Sequence, residues 1–201
     1  MVQILVIDCF DSFVYNLVQI LDESGLCTYD IVPADAIELS DLSTYDALLL
    51  SPGPGVPTEL PLLMQVLQLC ERTHHILGIC LGHQAIGLHF GAQLRQLVRP
   101  LHGHTDILRH GGEGLLRGLN SLTSIGRYHS WVIDEHTLPS CLQVLGVSDL
   151  SPTEIMAIRH RELPIYGLQF HPESLMTEAG NRYLLSFLSE VTAARRASRV
   201  T

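Results

Sequence analysis

The sequence contains no CxxC pair, no internal repeat and no low-complexity tract. Its apolar runs all fall short of the roughly 18 residues that span a bilayer. Five cysteines are scattered along the chain, at Cys9, Cys27, Cys70, Cys80 and Cys141. An odd, unpaired set argues against a disulfide framework and for a reducing, cytoplasmic compartment. The N-terminus lacks a basic segment and a small-residue cleavage site and meets Asp8 early. It reads as a strand, not a signal peptide. Positive charge is also scarce, with 12 Lys+Arg against 21 Asp+Glu and a formal net charge of -9. That balance argues against nucleic acid or anionic membrane as the main partner.

What remains suits one globular domain. The chain has 201 residues, of which 46% are hydrophobic and 16% charged, enough to bury a substantial core. The run VQILVID (2–8) is nearly all apolar and reads as a strand buried on both faces of a parallel sheet. A helix follows, with Asp11 or Ser12 expected as N-cap, Phe13, Leu17, Ile20 and Leu21 on one face, and Gly25 as terminator. Strands at 27–32, 45–51 and 76–79 alternate with helices at 60–73 and 81–91. That alternation predicts an open, mostly parallel twisted α/β sheet with flanking helices. After residue 91 the segments become short and alternating, and several are expected as antiparallel strands. A last helix is expected over roughly 177–190. The domain is thus expected over 1–190, and the basic tail 191–201 is expected to fray.

Three segments carry chemistry. Gly78-Ile79-Cys80-Leu81-Gly82 has the form of a strand-to-helix elbow around a nucleophile. Glycines on both sides relieve the clash of a strained central residue. The turn sets the thiol at a helix N-terminus, where the dipole favours the thiolate and the Leu81 N–H can face an oxyanion. A cysteine at a strand end is otherwise an ordinary packing residue; the paired glycines argue for function. In GLQFHPES, extended chain would put His171 and Glu173 on one side, with Pro172 keeping His171 out of the helical region. A carboxylate beside an imidazole fixes its tautomer and stabilises the imidazolium. The bland reading is a surface pair of little consequence. The loop SPGPGVP (51–57) follows a strand end, where α/β sheets bind ligands. Its prolines lack N–H donors and no Gly-Lys-Ser/Thr follows, so it suits an oxyanion better than a phosphate. Among eleven histidines, the tight groups His102-x-His104 and His74-His75 lack partners at metal-ligand spacing. No metal and no cofactor is expected.

These segments together resemble the class I, triad-type glutamine amidotransferases. The match extends from VIDCFDSFVYNL through LLLSPGPGVPTE, ILGICLGHQAI, HGHTDI and GRYHSWVI to IMAIRHRELPIYGLQFHPES and TEAGNRYLLSFL. The stretches DSF and RYHS favour the glutaminase subunits of anthranilate synthase or aminodeoxychorismate synthase. The resemblance implies a flavodoxin-like three-layer fold. It implies Cys80 as nucleophile, His171 as base and Glu173 as its orienter. The Leu81 N–H and a glycine N–H of the Gly53-Pro54-Gly55 loop would form the oxyanion hole. Gln84 and the backbone of Ser130 and Trp131 would hold L-glutamine. Its amide would be hydrolysed through a γ-glutamyl thioester, and ammonia would pass to a separate chorismate-using synthase subunit, component I of either complex. Another ammonia-using synthase, or a non-catalytic regulatory module on the same fold, are the alternatives. The chain departs from the family at Cys9 and Phe10 (usually Asn and Tyr), His104 (usually Lys), Leu60-Pro61 (usually Ala-Gly) and Trp131 (usually Leu). None of these touches the implied triad.

Overall fold

A computed structural model describes residues 1–198. Nine strands form one sheet. The order begins β2 (Cys27–Pro33), β1 (Val2–Asp8), β3 (Ala47–Leu50), β4 (His75–Ile79) and β11 (Ile165–Leu168), all parallel. It continues antiparallel through β10 (Ile155–His160), β9 (Leu142–Ser148), β6 (His104–His110) and β7 (Leu122–Arg127). The parallel half has the strand order of doubly wound flavodoxin-like sheets. A small ribbon pairs β5 (Leu94–Gln96) with β8 (Trp131–Ile133).

The central strands are apolar on both faces because helices cover both. Along β1, Val2, Ile4 and Val6 pack into one core with α1 (Val14–Ser24) and α4 (Asn181–Ser198). Leu5 and Ile7 face the other core, with α2 (Pro61–Cys70) and α3 (Leu81–His89). The alternation repeats in β3, where Leu49 joins the first core and Leu48 and Leu50 the second. Each core removes a continuous apolar surface from water, the main favourable term in folding.

Three expectations need correction. Helix α1 starts one to two residues late: Phe13 is the N-cap and makes no side-chain cap bond. The Asp11 carboxylate instead accepts the Phe13 N–H at 2.7 Å, closing a local turn that competes with capping. Gly25 does end the helix, at φ 60°. The last helix does not stop near 190 but continues to Ser198. Val191 is buried in the core of α1 and α4, and Arg195 bonds to the Met1 carbonyl and to Asp46. The extra turns are thus anchored at the N-terminal ends of β1 and β3, and residues 199–201 of the expected tail lie outside the described residues. Third, His171 and Glu173 do not lie in extended chain. The Ser174 N–H donates to the His171 carbonyl at 3.2 Å, a four-residue turn with Pro172 at its second position, where its fixed φ is favourable.

Candidate active site

The site lies beyond the C-terminal ends of β3, β4 and β11. The strand β4 runs straight into Cys80, whose N–H donates to the Leu168 carbonyl of the adjacent β11 at 2.7 Å. Cys80 has φ 51° and ψ -98°, a conformation a side-chain-bearing residue rarely holds. It is the N-cap of α3. The elbow closes tightly: a Cβ on Gly78 would lie 2.4 Å from the backbone of Gly82, and one on Gly82 would lie 2.6 Å from the Leu50 carbonyl oxygen. Backbone cannot retreat as a side chain can. Gly78→Ala is therefore expected to destabilise the protein by about 1–3 kcal/mol and to lower activity. Urea denaturation checks this; an unchanged midpoint with full activity would show that the elbow tolerates a side chain.

A cavity of about 390 Å³ opens over the thiol. It is lined by Cys80, Gly53, Pro54, Gly55, Gln84, Ser130 and Trp131, together with Tyr128, His129 and His102 among others. The structure thus gathers most of the residues singled out in the sequence around one space. Leu81, His171 and Glu173 do not line it. His171 meets Tyr128 edge-on, their rings 5.0 Å apart, and Phe13 contacts both, tilted against Tyr128 and edge-on to His171. The ring is 2% exposed.

His171 Nδ1 lies 2.6 Å from Glu173 Oε1, while Nε2 has no hydrogen-bond partner among the described residues. Burial opposes the imidazolium, but Cys80 and Glu173 outweigh it and hold the His171 pKa well above the ordinary value. The Thr177 hydroxyl donates to the His171 carbonyl at 2.5 Å and accepts the Gly126 N–H at 3.0 Å, which fixes the turn. The N–H groups of Gly53, Gly55 and Leu81 donate to no acceptor in the described residues. The Glu59 carboxylate, sitting close under Gly55, accepts the Val56 N–H at 3.3 Å and so ties the loop to the short turn Pro57–Glu59 that precedes α2.

Several participants escaped the sequence reading. Gln169 donates to the Cys80 Sγ at 3.7 Å and lies 3.3 Å from the Gln84 Nε2. Its place in GLQFHPES, two residues before the histidine, was the available signal. Tyr128 and Phe13 stood in recognisable segments, but nothing local said that they would meet across the sheet. The departures at Cys9 and His104 fall outside the cavity lining, whereas Trp131 is part of it.

The profile of the glutamine amidotransferase class-I family matches residues 5–191. This chain belongs to the class I glutamine amidotransferases. As such it is a glutamine-hydrolysing enzyme. Anthranilate synthase component 2 of Mycobacterium tuberculosis is 42% identical over 192 residues, covering 93% of this chain and 82% of that protein. The aminodeoxychorismate/anthranilate synthase component 2 of Bacillus subtilis is 42% identical over 189 residues, covering 92% and 95%. A solved structure from Thermoplasma acidophilum, described as that of a GMP synthase subunit, superposes with a TM-score of 0.88 at 30% identity. It covers 99% of this amidotransferase and 98% of its own chain. Among the described residues, no helix of the amidotransferase is long and apolar enough to cross a membrane.

Proposed function

We propose that this chain is the glutaminase subunit of a chorismate-using synthase, for anthranilate, for 4-amino-4-deoxychorismate, or for both. The names of relatives similar over nearly the whole chain support that partner. The observation that carries the chemistry is Cys80, held in a strained elbow at a helix start beneath a cavity of about 390 Å³. His171 supports it, with Nδ1 tied to Glu173 and Nε2 unbonded among the described residues.

In this reading His171 holds the proton given up by Cys80, and Cys80 Sγ attacks the side-chain amide carbon of glutamine as a thiolate. The N–H of Leu81 and one from the Gly53–Gly55 loop stabilise the oxyanion. The C–N bond breaks, and the departing nitrogen takes the proton from His171 and leaves as ammonia. Water, activated by His171, then hydrolyses the thioester to glutamate and frees the thiol. Glu173 orients the ring throughout. Gln84, Ser130 and Trp131 seat the substrate's α-carbon end. Ammonia passes to the synthase subunit without entering bulk water, where it would be protonated and lose its nucleophilicity.

A glutamine-like electrophile tests this by mass-spectrometric mapping. Burial pushes the Cys9 thiol up to about 12 and the Cys70 thiol up to about 11, and burial also raises Cys27. Those three thiols are protonated at neutral pH, and the thiolate is the reactive form. Cys141 is partly exposed and is the internal control. Labelling of Cys80 well ahead of the other four, and protection of Cys80 by glutamine, is expected. Equal labelling of Cys80 and Cys141, with no protection, would dismiss Cys80 as an activated nucleophile. Identifying the aromatic product made with each candidate synthase subunit, chorismate and glutamine assigns the partner.

A further inference from the structure

Arg127 ends β7, is 3% exposed, and carries a full charge into the interior. Nη1 donates to Asp106 Oδ2 at 2.6 Å and to the Ser148 hydroxyl at 3.4 Å, and Nη2 pairs with Glu154. These contacts look purely structural. The fourth does not: Nε donates to His129 Nε2 at 3.1 Å. A guanidinium stays protonated and has no acceptor. His129 Nε2 must therefore be the acceptor, and the single proton of the neutral ring sits on Nδ1. That nitrogen is 3.1 Å from the Trp131 carbonyl oxygen and donates to it.

The same carbonyl accepts Gln84 Nε2 at 2.9 Å. Two donors occupy both lone pairs of the oxygen. Gln84 is thereby held toward Gln169, which reaches the Cys80 thiol. A continuous set of hydrogen bonds runs from Arg127 through His129, Trp131, Gln84 and Gln169 to Cys80, and His129, Trp131 and Gln84 line the cavity. Burial and the Arg127 charge push the His129 pKa down to about 3; His171 and His83 act in the same direction, and the Trp131 carbonyl against it. The ring is neutral at physiological pH, so its tautomer decides what it offers. With the proton on Nε2, a lone pair would face the Trp131 carbonyl and repel it.

We propose that Arg127 is a positioning residue for substrate binding: by donating to Nε2 it holds His129 in the Nδ1–H tautomer, and so holds Trp131 and Gln84 in the arrangement that receives glutamine. This rests on reading the cavity as the glutamine site. Arg127 acts through other residues and touches no substrate.

Arg127→Lys separates this role from charge compensation. A lysine keeps a cation for Asp106 and Glu154 but has no donor at the Nε position. Protein labelled with 15N-histidine reports the tautomer in long-range 15N–1H correlation spectra. The wild-type His129 is expected as a neutral Nδ1–H ring at pH 6 to 7, and R127K as a mixture. In glutamine hydrolysis by the full chain, R127K is expected to raise KM about tenfold with kcat changed less than about threefold. A second pair of variants covers poor folding of R127K. His129→Asn keeps a side-chain donor near the Trp131 carbonyl and is expected to stay within about threefold of the wild-type KM, while His129→Leu rises about tenfold. An Nε2–H or protonated His129 in the wild type overturns the proposal, as does a wild-type KM in both R127K and H129L. The Nδ1–H tautomer with no glutamine-induced change in the His129 signals would instead overturn the reading of the cavity.

Discussion

Cys80→Ser is expected to abolish glutamine-dependent product formation, a loss of at least about 10³-fold, because a triad loses most of its function with any one member of its reacting pair. A serine hydroxyl in the same elbow is far less acidic than a thiol, so the proton that His171 must accept is much harder to remove. The fold is expected to survive. Cys80 is small, and the strain sits in a backbone that the substitution leaves alone. The second half of the experiment matters as much. With a chorismate-using synthase subunit present, added ammonium salt is expected to restore product, since that step belongs to the partner. Glutamine-driven product at near wild-type rate in C80S would remove Cys80 from the mechanism. Failure of ammonium to rescue would show that the damage extends beyond the glutaminase step.

His171→Ala is expected to cost about 10²–10⁴-fold, the usual worth of a positioned proton-transfer group. Glu173→Gln is expected to cost less. Glutamine can still hydrogen-bond to the Nδ1 side, where the carboxylate now stands at 2.6 Å, but it cannot stabilise the imidazolium by charge. The structure adds a reason for the order. Burial alone would strip the proton from His171, and Cys80 and Glu173 together reverse that. Removing Glu173 weakens one of two supports, whereas removing His171 leaves nothing to carry the proton. Initial rates at saturating glutamine, with the double variant as a non-additivity check, decide the matter. Near-normal turnover in H171A would end the triad assignment.

The Cys80 elbow was legible because its demands are local. A strand, a strained residue, a helix and two close backbone approaches all fall within Gly78 to Gly82. The strand runs were legible for the same reason, since burial on both faces leaves no polar alternation in segments such as Ala47–Leu50. What sequence could not convey was partnership between distant segments. Phe13, Tyr128 and His171 come from three parts of the chain and meet only because the sheet brings their loops together. Arg127 reads as one more charge on a short strand until its four partners from β6, β9 and the loops are seen. The misjudged ends had a similar cause. The basic composition after Glu190 suggests solvent, but Val191 and Arg195 have tertiary partners that local propensity does not report.

Strands β4 and β11 are immediate neighbours, in register from Ile76 with Ile165 to Ile79 with Leu168. Along the chain, however, nearly everything from α3 to β10 is threaded between them. During synthesis the first four strands and their helices emerge long before the strand that must lie beside Cys80. At about 5–20 residues per second, that interval lasts several seconds or more. Closing so long a loop is also slow once the chain is complete, because the entropic cost precedes the contacts that compensate it. In the proposed mechanism a nascent chain therefore carries its thiol without its imidazole, and lacks the pair that would hydrolyse glutamine. On that reading, the order of segments along the chain delays the first turnover until nearly the whole polypeptide is made.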